Sequence, residues 1–571
     1  MNKNFPMKNT FSKTQIVTPL VAVFALAFAP LETSAAAPGI PDAGTILQQM
    51  QPVMPALPST RGTGLTIEQT DGSKLPPSEP FMVQGVQIVG NTLVDTPTLL
   101  ALVADLQGHT LTLPQLGDLA SRITAYYQGK GYPLARAIIP AQTITLGVVR
   151  IEVIEALYGK IGLDNTSQVN SHLLEVTLSP LQTGKAIAQT EMNRALLLLS
   201  DIPGVVVNAT LRPGDVVSTS DLQVETTPTP AVSGNVVLDG YGNRYTGRER
   251  IGSTLNVNNP LHHGDTLNVS GLSSGSNMTY GRLAYDSLLN GQGTRVGGAY
   301  STLEYALGAP LKELNAHGTS QIRSLWAKQP LLRSRDANVY GQIQYDALKL
   351  RDHVDASVIR TDRNLKNWTL SLAGDATDEI GTGGMSSWSL GWTRGYVGFD
   401  TNLAELADAA TAKTQGNFSK WNVQLARLQA LGARDNVYLA FSGQWSDTNL
   451  DSSQKMSLGG PYTVRAYDMG AVSGDAGYSV NVEYRHDLGQ IGVGQWQSVA
   501  FIDSASVTVN HNTWSAGTNS ATLSGAGIGL NWSGPDQWSA KLYVATPIGS
   551  VPVLVGSNHS TRGWIEVSRH F

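Results

Sequence analysis

The chain has 571 residues, of which 41% are apolar and 15% are charged, and it contains no cysteine. The lack of cysteine excludes a disulfide scaffold, a cysteine-bound zinc module and a cysteine nucleophile. Lysine and arginine number 39 against 44 aspartates and glutamates, a formal net charge of −5, so no basic surplus points to a nucleic-acid partner.

A secretory signal is predicted over residues 1–36. Basic residues without acidic ones come first, an apolar run follows from Ile16 to Ala29, and small residues precede Pro38. This order predicts cleavage near Ala36 or Ala37. A retained membrane anchor is the alternative, but the run is shorter than the ~20 residues that span a bilayer. We therefore expect the mature protein to leave the cytoplasm.

Residues 37–80 combine one short helical candidate, from Ala43 to Met50, with stretches rich in proline. Proline lacks a backbone N–H and favours extended backbone, so the pattern predicts a helix on an extended linker. A disordered leader is the alternative for this zone.

Two successive small modules are predicted next, over residues 81–155 and 156–229. The first has a strand from Phe81 to Val89, helices from Thr96 and from Leu113 to Tyr127, and strands over 135–139 and 148–154. The second repeats this order more weakly, with strands over 161–163, 205–211 and 221–225 and helices over 171–178 and 191–199. Together they form a tandem repeat of one β-α-α-β-β unit.

Residues 230–571 read as short strands that alternate between two faces. Trp388, Leu390 and Trp392 share one face, whereas the residues between them are small or polar. An apolar outer face and a polar inner face are what a membrane β-barrel requires, and the length suffices for roughly 16 antiparallel strands. The predicted fold is thus α+β periplasmic modules followed by an all-β transmembrane barrel that contacts outer-membrane lipids.

A soluble β-sandwich or propeller would show the same alternation. The predicted export signal and the aromatic residue Phe571, on one face of a last strand with Ile565 and Val567, favour the membrane barrel. Phe571 is similar to the terminal signal by which outer-membrane barrels are recognised by the barrel-assembly machinery, although Arg569 interrupts the apolar face.

Several motifs together resemble one family, the two-partner-secretion transporters of the hemolysin secretion/activation type, whose periplasmic modules are POTRA domains. In the first module they are Gly90-Asn91-Thr92, Tyr126-Tyr127, Gly131-Tyr132, Ala135-Arg136, Ile139 to Gln142 and Ile151 to Glu155; in the second they are Asp201 to Val205 and Arg212-Pro213-Gly214. In the barrel, Val464-Arg465-Ala466-Tyr467 is similar to the V-R-G-[FY] motif and Phe501-Ile502-Asp503 to the F-x-D motif. Ala156, Ala466 and Ala505 depart from the family, which usually has glycine at these positions.

The resemblance implies that a long loop near residues 448–477 folds into the barrel lumen, where Arg465 meets Asp503. A guanidinium in a narrow lumen needs a carboxylate partner, and such a pair would hold the loop in place. A solvated loop arginine is the alternative that spacing alone favours. The helix near Ala43 resembles the family's plug helix.

The resemblance also implies the function. POTRA modules would capture an unfolded secreted partner of hemolysin, adhesin or contact-dependent toxin type and pass it through the barrel without a nucleotide or another cofactor. The candidate docking strand consists of Val148, Val149, Arg150, Ile151, Glu152 and Val153, although any sheet edge could accept an extended client.

An insertase and a hydrolase are the alternative functions. An outer-membrane assembly insertase shares the barrel and the Arg465 loop but usually carries more POTRA modules. For a hydrolase, residues 271–275 match G-x-S-x-G, but no helix is predicted directly after the serine.

His262-His263 lies in a sequence of turn composition, so no metal site is predicted there. The chain is not expected to be an enzyme.

Overall fold

The computed structural model describes residues 40–50, 64–67, 76–556 and 561–571. The predicted secretory signal and most of the predicted proline-rich linker lie outside the described residues. No helix in these ranges is long and apolar enough to cross a membrane.

The elements before the barrel begin with a short helix. They are α1 (Ala43–Gln49), β1 (Leu65–Ile67), β2 (Phe81–Met82), β3 (Gly85–Val89), α2 (Thr96–Ala101), β4 (Thr110–Leu111), α3 (Leu113–Gly129), β5 (Arg136–Ile138), β6 (Val148–Ile154), β7 (Leu157–Asn165), α4 (Ser171–Leu178), α5 (Gln189–Ser200), β8 (Val205–Pro213) and β9 (Thr219–Pro228).

The first module packs its helices on one face of a sheet with the strand order β3-β6-β5. Helix α3 shows why: its buried residues Leu116, Leu119, Ile123 and Tyr127 recur at helical spacing and face the sheet. A capping box between Thr112 and the N3 residue satisfies the first backbone donors of the helix. The single strand predicted from residue 81 to 89 is divided in two, since β2 pairs with β4 and β3 pairs with β6.

The second module has a four-stranded sheet in the order β1-β8-β9-β7. Its first strand is contributed by the linker, upstream of the first module. The two modules share contacts: Leu134 of the first packs against the core of the second, and the Gln189 N–H donates to the Gly131 carbonyl at 2.9 Å. Ala156 lies at the junction between β6 and β7 without a positive φ, so the methyl group that replaces glycine there is not strained.

The remaining strands form the barrel. They are β10 (Val232–Asp239), β11 (Arg250–Asn258), β12 (Thr266–Ser273), β13 (Met278–Leu288), β14 (Arg295–Ala306), β15 (Ala316–Arg333), β16 (Ala337–Val354), β17 (Ile359–Asp378), β18 (Gly384–Phe399), β19 (Gly416–Ala430) and β20 (Asp435–Ser446), then, after a long loop with the short pair β21 (Met456–Leu458) and β22 (Val472–Gly474), β23 (Ala476–Gln490), β24 (Gln495–Thr508), β25 (Ser520–Ser533), β26 (Trp538–Pro547) and β27 (Arg562–His570). One further helix, α6 (Asn402–Ala409), lies between β18 and β19.

In the described part of the chain, sixteen antiparallel strands close the barrel, because β27 pairs with β10 as well as with β26. The prediction of a 16-stranded barrel is confirmed. Large apolar side chains such as Leu325, Ile343 and Leu370 are exposed on the outer wall, as a lipid-facing surface requires. Phe571 exchanges two backbone hydrogen bonds with Gly234 of β10, at 2.9 and 3.0 Å, and its side chain is exposed.

The second module is attached to the barrel end where β10 begins. Arg333, at the end of β15, forms a bidentate ion pair with Asp201, at 2.7 and 2.8 Å. The Asn170 N–H donates to the His262 carbonyl at 2.9 Å. The histidine pair of the sequence therefore lies in a turn that contacts the module.

Candidate functional site: the loop and helix inside the barrel

The long loop between β20 and β23 lies in the barrel lumen. Val464, Ala466 and Tyr467 are fully buried and pack against inward side chains of the wall, such as Leu523 of β25. Ala466 faces Gly525, where a side chain would overlap the Ala466 methyl group. Ala466 does not adopt a positive φ, so alanine in place of the family's glycine is unstrained and is accommodated by the glycine opposite.

Arg465 at the tip of this loop is buried and bound on three sides. Its Nε and Nη2 donate to the two carboxylate oxygens of Asp503 on β24, at 2.8 and 2.7 Å, and its backbone N–H donates to Asp503 at 3.0 Å. Its Nη1 donates to Glu483 on β23 at 2.6 Å. The Trp564 indole donates to the Arg465 carbonyl at 2.7 Å. The structure thus brings Arg465 and Asp503 together in bidentate geometry, which is specific for arginine.

The surroundings of this pair balance its charge. Arg485 binds the second oxygen of Glu483, with Nη2 at 2.6 Å, so two cations face two carboxylates. The Arg465 guanidinium also lies over the Phe501 ring, 3.4 Å from the ring centroid, which gives the F-x-D phenylalanine a contact of its own. Glu483 and Arg485 were not among the predicted site residues. The sequence pattern that could have indicated them is a pair of opposite charges at alternate positions of one strand, which places both side chains on its inner face.

A second cluster of charged side chains binds Asp468, the loop residue that directly follows the motif Val464 to Tyr467. Asp468 lies 2.6 Å from Arg562, at the start of β27, and 3.0 Å from Arg248, in the β10–β11 connection. The loop is thus bound both to β27 and to the connection that follows β10, the strand that pairs with β27 to close the barrel.

Helix α1 lies inside the barrel and contacts both the wall and the loop. Ala43, Ile46 and Leu47 are buried against wall residues, among them Leu303 and Leu350. Gly44 approaches the loop so closely that a Cβ there would lie 2.5 Å from the Ser453 backbone nitrogen. The Gln48 side chain also donates to the Ser453 carbonyl.

One buried arginine on the wall, Arg363 of β17, joins these elements. Its Nη2 donates to Asp42, the residue that caps α1, at 2.6 Å; its Nη1 donates to Asp352 of β16 at 2.7 Å; and Asp451 of the loop lies 2.5 Å from its Nε. Asp352 also accepts the Ala43 N–H at 2.8 Å. Helix, loop and wall therefore share one guanidinium, and three carboxylates surround it.

The predicted docking strand lies in the middle of its sheet. The six residues Val148 to Val153 belong to β6, which pairs with β3 on one side and with β5 at its end. Beside Arg150, the Gln142 side chain takes the place of a neighbouring strand, accepting the Arg150 N–H and donating to its carbonyl, both at 2.8 Å. Strand addition requires a free edge, and the edge of β6 next to Arg150 carries this side chain; docking of a client at β6 stays a prediction.

Several of the POTRA-like motifs converge on one carboxylate, Glu155. It accepts the N–H groups of Thr92 and Leu93, both at 2.8 Å, and the Tyr127 hydroxyl at 2.6 Å. Burial acts to raise the pKa of Glu155, but these donors outweigh it and hold the pKa below its ordinary value. Burial together with the Glu155 charge raises the pKa of Tyr127. These residues hold the module together.

Comparison with known protein families matches two parts of the chain. Residues 218–532 match the model of the haemolysin secretion/activation protein ShlB/FhaC/HecB, and residues 81–156 match the ShlB-type POTRA domain. The chain therefore belongs to the haemolysin secretion/activation family of two-partner-secretion transporters. It is an outer-membrane β-barrel protein whose POTRA region lies in the periplasm.

Individual relatives are similar over most of their length. The heme/hemopexin transporter protein HuxB of Haemophilus influenzae (strain 86-028NP) is 28% identical over 528 residues, covering 91% of this chain and 93% of HuxB. Outer membrane transporter CdiB of Escherichia coli is 23% identical over 466 residues, covering 79% of this chain and 76% of CdiB. Among solved structures, CdiB from Escherichia coli has a TM-score of 0.68 at 21% identity, covering 93% of this chain and 96% of CdiB.

BamA from Haemophilus ducreyi also shares the fold. Its structure, which lacks POTRA domains 1–3, has a TM-score of 0.52 at 14% identity and covers 86% of this chain and all of that chain.

Proposed function

We propose that this transporter captures an unfolded secreted protein at its periplasmic POTRA modules and exports it through the barrel to the cell surface. The observation that carries the proposal is the arrangement of charges in the lumen. A loop and a helix fill the barrel, and these two elements differ in the free energy that their removal from the lumen would require.

Helix α1 is the removable element. When Asp42 leaves with the helix, Arg363 keeps Asp352 and Asp451 and is not left without a carboxylate. The helix has only seven residues, and its buried apolar contacts come mainly from Ala43, Ile46 and Leu47. Its departure therefore exposes little apolar surface and leaves no buried charge unpaired.

The loop is the fixed element. Both carboxylates that bind Arg465 belong to the wall, so withdrawing the loop would leave Asp503 without its cation in a buried position. Breaking such a pair costs about 3–5 kcal/mol. We infer that α1 leaves the lumen before a client enters, whereas the Arg465 loop keeps its pair with Asp503.

No step in this scheme needs nucleotide hydrolysis. A client that enters unfolded and folds outside the cell cannot easily return, so folding at the surface supplies the direction of transport. The client is proposed to be a large exoprotein of hemolysin, adhesin or contact-dependent toxin type. Because HuxB is named a heme/hemopexin transporter protein, a client related to heme or hemopexin is a further candidate.

The test compares the large proteins secreted into the medium by a deletion strain with and without the wild-type gene. We expect one large exoprotein to be absent from the medium of the deletion strain and restored by the gene, with unchanged levels of other outer-membrane proteins. If export persists in the deletion strain while outer-membrane proteins fail to assemble, the alternative function, an outer-membrane protein insertase, replaces this proposal.

A further inference from the structure

A strand from the linker occupies the edge of the second POTRA sheet. Leu65 to Ile67 pair in parallel with Ala209 to Leu211 of β8, and the Ala209 N–H donates to the Gly64 carbonyl at 3.0 Å. Leu65 and Ile67 are partly buried against the core of the second module, whereas Thr66 between them is exposed. The edge of β8 therefore accepts extended backbone with apolar side chains at alternate positions, which is the pattern of strand addition.

This occupant is held by few contacts. Only three residues of β1 pair with β8, whereas β9 pairs with β8 over nine positions, from Val205 to Pro213. The described contacts of β1 are its main-chain pairing and the packing of two apolar side chains. A longer extended segment with the same apolar pattern would replace it at a net gain of contacts.

The surface beyond β1 is open and carries several apolar side chains. Ile67 lines a cleft of about 470 Å³ between the two POTRA modules, together with Leu134, Leu211 and Val216. At the tip of the β8–β9 hairpin, Val216 and Val217 are 66% and 88% exposed. Apolar side chains this exposed favour contact with a partner. A segment that replaced β1 would extend along β8 onto this surface.

The position of β1 in the chain connects this edge with the lumen. Fourteen residues separate α1 from Gly64, whereas thirty-one residues separate α1 from the start of the first module at Phe81. Releasing β1 therefore more than doubles the length of chain that tethers α1. The local concentration of a tethered group falls as about the −3/2 power of tether length, which is a decrease of about threefold.

We propose that the edge of β8 is a strand-acceptor site for an extended, alternately apolar segment of the exported protein, occupied at rest by Leu65–Ile67. Exchange of the client segment for β1 loosens α1 in the lumen, so cargo binding in the periplasm favours opening of the pore. The inference rests on the proposed export function and names where the cargo binds.

A disulfide lock tests the exchange. The chain has no cysteine, and Thr66 and Thr210 are directly paired, so the variant T66C/T210C has a single possible disulfide. Adjacent strands are about 4.8 Å apart, within the range that a disulfide bridges. We expect the oxidised variant to lose at least tenfold in exoprotein secretion and the reduced variant to recover it. The single variants T66C and T210C are the controls and should secrete normally in both conditions.

Two results would overturn the inference: normal secretion by the oxidised variant, or failure of the disulfide to form in the folded protein in the outer membrane. If wild type, single variants and reduced double variant all fail to secrete, the proposed export function is wrong instead.

A conductance measurement tests the connection to α1. In planar bilayers, the variant L65D/I67D places two carboxylates against the apolar core and should release β1, raising the open fraction of the purified protein about threefold. The matched control T66D carries its charge on the exposed side of the same strand and should leave the open fraction unchanged. Equal open fractions for the two variants would contradict the inference.

Discussion

Arg465 and Asp503 lie 38 positions apart in the chain and form a bidentate pair inside the barrel, with donor–acceptor distances of 2.7 and 2.8 Å. The pair joins the tip of the lumen loop to strand β24. Because both residues are almost completely buried, loss of Arg465 would leave Asp503 without a cation, and loss of Asp503 would leave Arg465 with Glu483 as its one carboxylate partner among the described residues.

The first prediction concerns this pair. R465A or D503A should each destabilise the folded barrel by about 3–5 kcal/mol, and the double variant should cost less than the sum of the two. The measurement is the temperature at which the folded band is lost on unheated SDS gels. R485A is the matched control, since Arg485 is partly exposed and its loss leaves Glu483 paired with Arg465. Additive effects of R465A and D503A would show that the two side chains act independently.

The second prediction separates the helix from the wall. D42N removes the charge that α1 presents to Arg363, while Asp352 and Asp451 stay in place. We expect a higher open fraction in planar bilayers and an unchanged melting temperature of the barrel. R363A should raise the open fraction and also lower the melting temperature, because three carboxylates then lose their shared cation. Equal melting temperatures for wild type and R363A would contradict this assignment.

The third prediction concerns Gly44. G44A improves intrinsic helix propensity by about 1 kcal/mol, yet its methyl group would lie 2.5 Å from the Ser453 backbone nitrogen. Backbone cannot move aside as a flexible side chain does, so we expect α1 to leave the lumen and the bilayer conductance to increase. G129A is the matched control, since Gly129 ends α3 of the first module and nothing lies within 4 Å of a Cβ there. A closed pore in G44A would mean that the loop adjusts to the helix.

The fourth prediction concerns Glu155 and pH. Its pKa is lowered in the folded protein, so its stabilising effect is complete above the ordinary glutamate pKa and is lost as the pH falls through the lowered value. E155Q should destabilise the first module by about 2 kcal/mol at neutral pH, since charge-assisted bonds become neutral ones. Urea titration of the full-length protein, followed by helix circular dichroism, measures this loss. The difference between wild type and E155Q should vanish in acid, and a constant difference from pH 7 to pH 3 would contradict the role of the charge.

Much of the barrel could be predicted because its signal is local. The alternation at Trp388, Leu390 and Trp392 specifies one face per strand, and length then limits the number of strands. Arg465 and Asp503 could be identified only through family motifs, since nothing near either residue indicates a partner 38 positions away.

The contacts that were missed depend on topology. Asp42, Asp352 and Asp451 meet at Arg363 from three separate regions of the chain, and no spacing rule relates them. Strand β1 is only three residues long, so its apolar pattern is too short to detect. The place of the predicted docking strand in its sheet has the same origin: strand propensity indicates that β6 is a strand, but whether it is central or at an edge depends on its neighbours.

The junction between the POTRA modules has a mechanical consequence. Glu155 is fixed by its donors, Ala156 has less conformational freedom than the glycine usual in the family, and Leu134 packs into the second module's core. The second module is in turn fixed to the barrel by Asp201 and Arg333. We therefore expect the two POTRA modules to move as one rigid body, so that a pull on the first module is transmitted to the barrel wall at the end of β15.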